Sequence, residues 1–263
     1  MQAKIAIIGG TGVYDPRMLE DVREETIATK YGQAVVKLGS YQGKNIAFLA
    51  RHGAGHAVPP HRVNYRANIR ALKELGVEKV IATAAVGSLN KDMKPGDFVL
   101  VDQFIDFTKN RVTTFFEGEE GVVHVDMTEP YCGQVRKVLI KAGEGLPVKT
   151  HNGGTYICAE GPRFETPAEI RMYRQLGGDL VGMTQCPEVV LARESELCYA
   201  AIAMVTNFAA GISPTLLTHA EVVETMNNNA ENLKSLIMNT ISLLTDERPC
   251  RCSEALRELG KFG

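Results

Sequence analysis

The feature that most limits how this chain can fold is a series of short apolar runs that do not alternate with polar residues. "KIAIIGG" at 4–10, "AVVKLGSY" at 34–41, "NIAFLARH" at 45–52 and "KVIATAAVG" at 79–87 open the series. "DFVLVDQFID" at 97–106, "GTYICAEG" at 154–161, "DLVGMT" at 179–184 and "CYAAIAMVTN" at 198–207 continue it. A strand with one wet face alternates, whereas a near-continuous run marks a strand covered on both faces. The covering helices are legible between the runs. Residues 62–75 place Tyr65, Ile69, Leu72 and Leu75 on one stripe, and 187–197 opens with Pro187, a good first helical residue. Thr166, Pro167 and Glu169 spell a capping box before a third helix. A second box, Thr218 with Glu221, opens a long helix to Leu244, with Val223, Met226, Ala230, Leu233 and Ile237 on one face. Strands alternating with helices define an α/β domain, and the "SYQGKN" turn adds an antiparallel hairpin. The expectation is one domain over 1–263, with a mixed central β-sheet flanked by helices; no linker or low-complexity run divides it.

The net charge of -2 offers no electrostatic footprint for nucleic acid. No apolar stretch reaches the ~20 residues of a membrane-spanning helix. The N-terminal run ends early in Gly9-Gly10 rather than extending into a secretory core, so a cytoplasmic protein is expected. Six cysteines, at 132, 158, 186, 198, 250 and 252, form no C-x-x-C pair, which argues against a zinc ribbon or a thioredoxin-like motif.

In sheets of this kind ligands collect at the carboxyl ends of strands. Those ends read Gly9-Gly10-Thr11-Gly12, Arg51-His52, Ala84-Ala85-Val86-Gly87, Met183-Thr184 and Thr206-Asn207. The glycine turn is no dinucleotide fingerprint, because Asp15 stands where the last glycine belongs, and the chain has no P-loop. Thr11 and Thr184 can offer hydroxyls to a small oxyanion, and Arg51 a bidentate fork. Each alone also reads as structural; their shared rim favours a phosphate or sulfate site. Met183 and Phe164 read either as core filler or as an apolar sandwich for a flat ring. Glu165 reads either as a solvated acid at a helix start or as an acceptor that faces that ring's edge together with the Asn207 amide. A ring with N1–H, N7 and O6, such as hypoxanthine or guanine, suits the second reading.

Four blocks, "RHGAGHAVPPHRVNYRANIRALKELG", "PGDFVLVDQFIDFT", "EGPRFETPAE" and "GMTQCPEVVLARE", resemble the purine nucleoside phosphorylase and methylthioadenosine phosphorylase family. The similarity runs from the glycine turn through the helix at 218–244. It implies an enzyme that uses phosphate to split a nucleoside into free base and sugar 1-phosphate, with inorganic phosphate as co-substrate and no metal or organic cofactor. By motif, phosphate falls to Thr11, Arg51, His52, Ala84, Ala85 and Thr184, the two alanines acting through backbone groups. Met183 lies under the ribose, Phe164 against the base, Ala209 beside the substrate, and Glu165 and Asn207 carry the base edge and the catalysis. His124, in "HVDMTEPYC", resembles a residue lent to a neighbouring subunit's site, which implies a homotrimer or homohexamer.

Methylthioadenosine members place an aspartate at the position of Asn207, a small hydroxyl residue at that of Glu165 and a hydroxyl residue at that of Ala84. This chain departs from them at all three, so the resemblance implies a 6-oxopurine nucleoside substrate. His219 stands where methylthio-selective members carry a small apolar residue; it reads as a partner for a 5′-hydroxyl or as an exposed residue in the first helical turn. S-methyl-5′-thioinosine or methylthioadenosine phosphorolysis is the alternative, and a non-catalytic purine-binding protein the alternative from another class. Relatives from hot environments pair cysteines placed like Cys132/Cys198 and Cys250/Cys252, so both pairs are expected to oxidise.

Overall fold

The computed structural model describes residues 2–9, 18–118, 121–213 and 218–257, the His219 side chain excepted. In chain order the strands are β1 (Ile5–Gly9), β2 (Glu20–Thr29), β3 (Gly32–Tyr41), β4 (Lys44–Ala50), β5 (Lys79–Ser88), β6 (Phe98–Leu100) and β7 (Gln103–Phe107). β8 (Thr150–Asn152), β9 (Thr155–Ala159), β10 (Leu180–Gly182) and β11 (Cys198–Phe208) complete them. The helices are α1 (Tyr65–Glu74), α2 (Gly133–Gly143), α3 (Pro167–Gln175), α4 (Gln185–Glu194) and α5 (His219–Leu243).

The apolar runs become the interior of one mixed sheet ordered β2-β3-β4-β1-β5-β10-β9-β7, and β11, beside β5, leads on through β6 to β8. Side chains on β5 alternate between two layers. Val80, Ala82, Ala84 and Val86 pack with Tyr65, Ile69 and Leu72 of α1 and with Val189 and Ala192 of α4. Ile81 faces the other way, toward Leu139 of α2 and Leu233 and Ile237 of α5. Each valine, leucine or isoleucine among them contributes roughly 1.5–3 kcal/mol when fully buried. The expected hairpin joins β3 to β4, with Tyr41 opposite Lys44 and both turn residues, Gln42 (φ 49°) and Gly43 (φ 74°), in the left-handed region that two-residue turns demand.

β5 organises the site. Along one edge it pairs with β11 in parallel from end to end. On its other edge it pairs with β1 in parallel only from Lys79 to Ala82, and with β10 in antiparallel fashion at Gly87 and Ser88. Among the described residues, that edge is therefore open from Thr83 to Val86. On the β11 side the register skips Thr206, since Val205 faces Val86 and Asn207 faces Gly87. Such a bulge re-aims side chains next to a site.

Several elements differ from the sequence reading. The run at 97–106 divides into β6, antiparallel to β11, and β7, parallel to β9. The first helix begins at Tyr65, because the Asn64 side chain caps it by accepting the Ala67 N–H at 3.0 Å. In α4, Cys186 leaves helical geometry (φ −105°, ψ 131°), so regular turns begin at Pro187 and end at Glu194, not at 197. The cysteine pairs expected at Cys132/Cys198 and Cys250/Cys252 are not bonded, and all six thiols are free. Instead the four sulfurs gather within 4.8 Å of one another, with Cys198 and Cys250 3.3 Å apart. Among the described residues no helix is long and apolar enough to cross a membrane.

Candidate functional site

A cavity of about 420 Å³ opens where the β5 edge is unpaired. Its floor is Ala84, Ala85, Val86 and Gly87 of β5, and its walls include Arg51, His52, Phe164, Glu165, Met183, Thr184, Asn207 and Ala209. The rim forms as expected from β4, β5 and β11, but Met183 and Thr184 reach it by another route. β10 runs antiparallel to β5, with Val181 facing Gly87, so its chain travels back down toward Ala85.

At one end is the segment from Glu160 to Glu169. Its cap is complete without Glu165: Thr166 accepts the Glu169 N–H at 3.2 Å, and the Glu169 carboxylate accepts the Thr166 N–H at 2.7 Å. Arg163 adds bonds of 2.9 and 2.7 Å to Glu169, and these hydrogen bonds pull that carboxyl down to about 2. Glu165 is thus free of the cap, and its Oε1 is buried with no hydrogen-bond partner. Burial raises its pKa above the ordinary carboxylate value. A buried acceptor left unmatched carries a desolvation penalty of about 1–3 kcal/mol, which a donor on a ligand relieves. Phe164 is exposed on its outer side, at 44%, while lining the cavity. Gly161 (φ 67°) leaves room for the Met183 thioether, into which a Cβ there would run.

The Asn207 amide, also in the cavity wall, is tied at both ends. Thr206 Oγ donates to Oδ1 at 2.8 Å, and Nδ2 donates to the Phe208 carbonyl at 2.9 Å. Because that carbonyl can only accept, the NH₂ must face it, which fixes the amide's orientation. One lone pair on Oδ1 and one N–H on Nδ2 remain for a ligand.

At the other end the structure gives the Arg51 fork a different partner from the expected anion. Nε and Nη2 each bond the Glu188 carboxylate at 2.6 Å, and Nη1 donates to the Thr83 carbonyl at 2.8 Å. Both side chains are 1% exposed, and Tyr199 Oη adds a 2.7 Å bond to Glu188. Burial works against the Arg51 charge, but Glu188 prevails and the guanidinium pKa lies above its ordinary value. Of five N–H donors, two remain for the cavity. Burial, followed by the Arg51 charge, lowers His52 to about 4. Its Nδ1 lies 2.8 Å from the Val58 carbonyl and must carry the proton, which leaves Nε2 as an acceptor. Thr184 lies just before α4, three residues ahead of the regular turns that begin at Pro187, and its hydroxyl makes no capping bond. Its N–H donates to Tyr156 Oη at 3.3 Å.

Of the remaining candidates, Thr11 and the side chain of His219 lie outside the described residues. His124 is exposed and is not part of the cavity wall. The sequence reading overlooked His56, Val222, Val223 and Met226, all of which line the cavity. Val223 and Met226 already stood on the apolar stripe of the long helix; nothing local separated a pocket-facing turn from a core-facing one.

The family described as phosphorylase superfamily matches residues 4–242. A protein from Moorella thermoacetica named "Probable 6-oxopurine nucleoside phosphorylase" is 62% identical over 253 residues, covering 96% of this chain and 97% of its own. The "6-oxopurine nucleoside phosphorylase" of Pyrococcus furiosus is 58% identical over 260 residues, covering 97% and 98%. Among solved structures, a methylthioadenosine phosphorylase from an antarctic soil metagenomic library superposes with a TM-score of 0.91 at 41% identity, covering 97% of this chain and 91% of that one.

Proposed function

The chain belongs to the phosphorylase superfamily, and from that premise we propose that it cleaves 6-oxopurine nucleosides with orthophosphate. Inosine gives hypoxanthine and ribose 1-phosphate; guanosine gives guanine and the same sugar phosphate. The observation that carries this reading is the Glu165 carboxylate, with a buried, partnerless Oε1, sharing one cavity with the oriented Asn207 amide. An acceptor at that place suits the N1–H of a 6-oxopurine. It would meet a lone pair on N1 of adenine.

The mechanism follows from where charge develops. A phosphate oxygen attacks C1′ while the bond to N9 breaks, and the sugar passes through a state with oxocarbenium character. The bonding electrons move onto the purine, so the protein's task is to stabilise negative charge on the leaving base. The spare Asn207 N–H serves O6 or N7 as that charge grows, and its spare lone pair accepts N7–H once the base is protonated. Glu165 holds N1–H and, for guanine, the 2-amino group. Phosphate is held by the two spare Arg51 donors, the Thr184 hydroxyl, Thr11 and backbone groups of Ala84 and Ala85. Neutral His52 accepts from the hydroxyl of hydrogen phosphate, the proton that balances the one finally carried by the base. Met183 lies under the ribose, with Phe164 and Ala209 beside the base. Phosphate is a co-substrate, and no step calls for a metal or organic cofactor. His124 completes the site of a neighbouring copy in a homotrimer or homohexamer.

A second substrate, S-methyl-5′-thioinosine, is supported by the apolar stretch of wall from Val222, Val223 and Met226. It keeps the same base edge and differs only at the sugar. The test is hypoxanthine release from inosine and from methylthioinosine, each with and without phosphate. Release that depends on phosphate supports the reading; phosphate-independent release, or none from either nucleoside, refutes it.

A further inference from the structure

We propose that Arg111 is a positioning residue for this pocket, locking the wall that carries Met183 and Thr184 to the wall that leads into Phe164 and Glu165. The inference rests on the reading of the cavity as a nucleoside site. β9 and β10 form a parallel ladder whose last pair is Gly182 with Cys158. Beyond that pair the β10 chain runs on to Met183 and Thr184, and the β9 chain runs past Ala159 to Phe164 and Glu165, all four lining the cavity, and no further ladder pair joins the two. Arg111 takes over at that point. Its side chain is 2% exposed. Nη1 donates to the Met183 carbonyl at 2.7 Å and the Cys186 carbonyl at 2.5 Å, while Nη2 donates to the Glu160 carbonyl at 2.7 Å. One planar group thus satisfies acceptors on both segments just beyond the last rung.

The placement of Arg111 is itself fixed from two sides. The Glu160 carboxylate lies 3.5 Å from Nε and also accepts the Lys109 N–H at 2.8 Å, fastening the loop after β7 to the segment it braces. The guanidinium sits 5.6 Å above the Tyr65 ring at the start of α1. Arg111 does not line the cavity, so its effect on substrate passes through the backbone of Met183 and Glu160. A lysine would keep the charge but concentrate its donors at one point, and could not span the two segments as a rigid fork does.

The experiment compares specificity constants for inosine and adenosine in the native enzyme, Arg111→Met and Arg111→Lys. The ratio of the two constants cancels the amount of folded enzyme, so a loss of stability alone leaves it unchanged. Loosened walls blur the base edge. Arg111→Met should lower the inosine constant at least tenfold, through a higher KM as well as a lower kcat, and compress the ratio at least fivefold. Arg111→Lys should fall between Met and native. If Arg111→Met does not fold, Arg111→Lys carries the test, with a compression of at least threefold expected. A ratio within twofold of native in every variant that folds overturns the proposal. A native enzyme with no preference for inosine overturns the nucleoside reading beneath it, an outcome visible before any variant is made.

Discussion

Breaking the Arg51–Glu188 pair should cost more stability than any single change on the protein's surface, and phosphate should tell the two halves of the pair apart. Each partner is 1% exposed, so removing either one strands a buried charge. Arg51→Met leaves the Glu188 carboxylate with the Tyr199 hydroxyl and no cation; Glu188→Leu leaves a guanidinium bonded to the Thr83 carbonyl alone among its present partners. Removing one partner of a buried pair typically costs about 3–5 kcal/mol. At about 2.1 cal/mol/K per residue of unfolding entropy, that is a fall in Tm of roughly 5–9 °C for a chain of this length. The double variant, apolar at both positions, should recover most of the loss, because hydrophobic replacement of a buried pair is often neutral. The assay is urea unfolding of all four proteins with and without phosphate. Saturating phosphate stabilises a protein that binds it by about 2.7 kcal/mol at a hundred times Kd. That gain should persist in Glu188→Leu, whose unpaired Arg51 still meets the anion, and vanish in Arg51→Met and in the double variant. The reasoning is refuted if either single variant loses less than about 1 kcal/mol, or if phosphate stabilises Arg51→Met as much as native protein.

Two further outcomes follow from the same geometry. His52 is lowered from its ordinary value near 6.5 to about 4, so between those pH values the unfolded chain binds the extra proton; stability should decline as pH drops through that window, and His52→Gln should flatten the decline in pH-dependent urea melts. The four gathered sulfurs should oxidise in pairs, as expected for Cys132/Cys198 and Cys250/Cys252, although the 3.3 Å approach offers Cys198–Cys250 as a competing pair; mass spectrometry of unreduced protein should show the loss of two hydrogens per bond, and six free thiols would contradict this.

What could be read from the sequence was whatever one segment decides for itself. Buried strands announced themselves because β5 is apolar from Val80 to Val86 except at Thr83, and β11 from Cys198 to Val205 without a charge. The hairpin and the cap at Thr166 rest on local chemistry, and both formed. β2 escaped notice because it is an edge strand with charged residues on both faces, paired with β3 alone among the described strands. α2 escaped because Cys132 supplies no capping side chain and glycines stand at both ends of the helix. The partner of Arg51 was invisible for a different reason. Glu188 lies 137 residues away, and a fork aimed at a carboxylate looks in sequence like a fork aimed at phosphate. The expectation of a free Arg51 fork therefore gives way to one with two spare donors. Arg111 had no signal at all, since its acceptors are backbone carbonyls that every residue carries.

The most direct test of the central claim, that Glu165 and Asn207 read the base edge, is the ratio of specificity constants for inosine and adenosine in the native enzyme and in Asn207→Asp. A site that leaves buried polar groups unpaired with the wrong ligand discriminates by about 10⁴-fold or more. The native ratio should approach that value in favour of inosine. Asn207→Asp should lower inosine use and raise adenosine use, because a carboxylate accepts from a 6-amino group and a protonated N7 but cannot donate to O6. A native enzyme that prefers adenosine, or an Asn207→Asp enzyme with an unchanged ratio, would contradict the account.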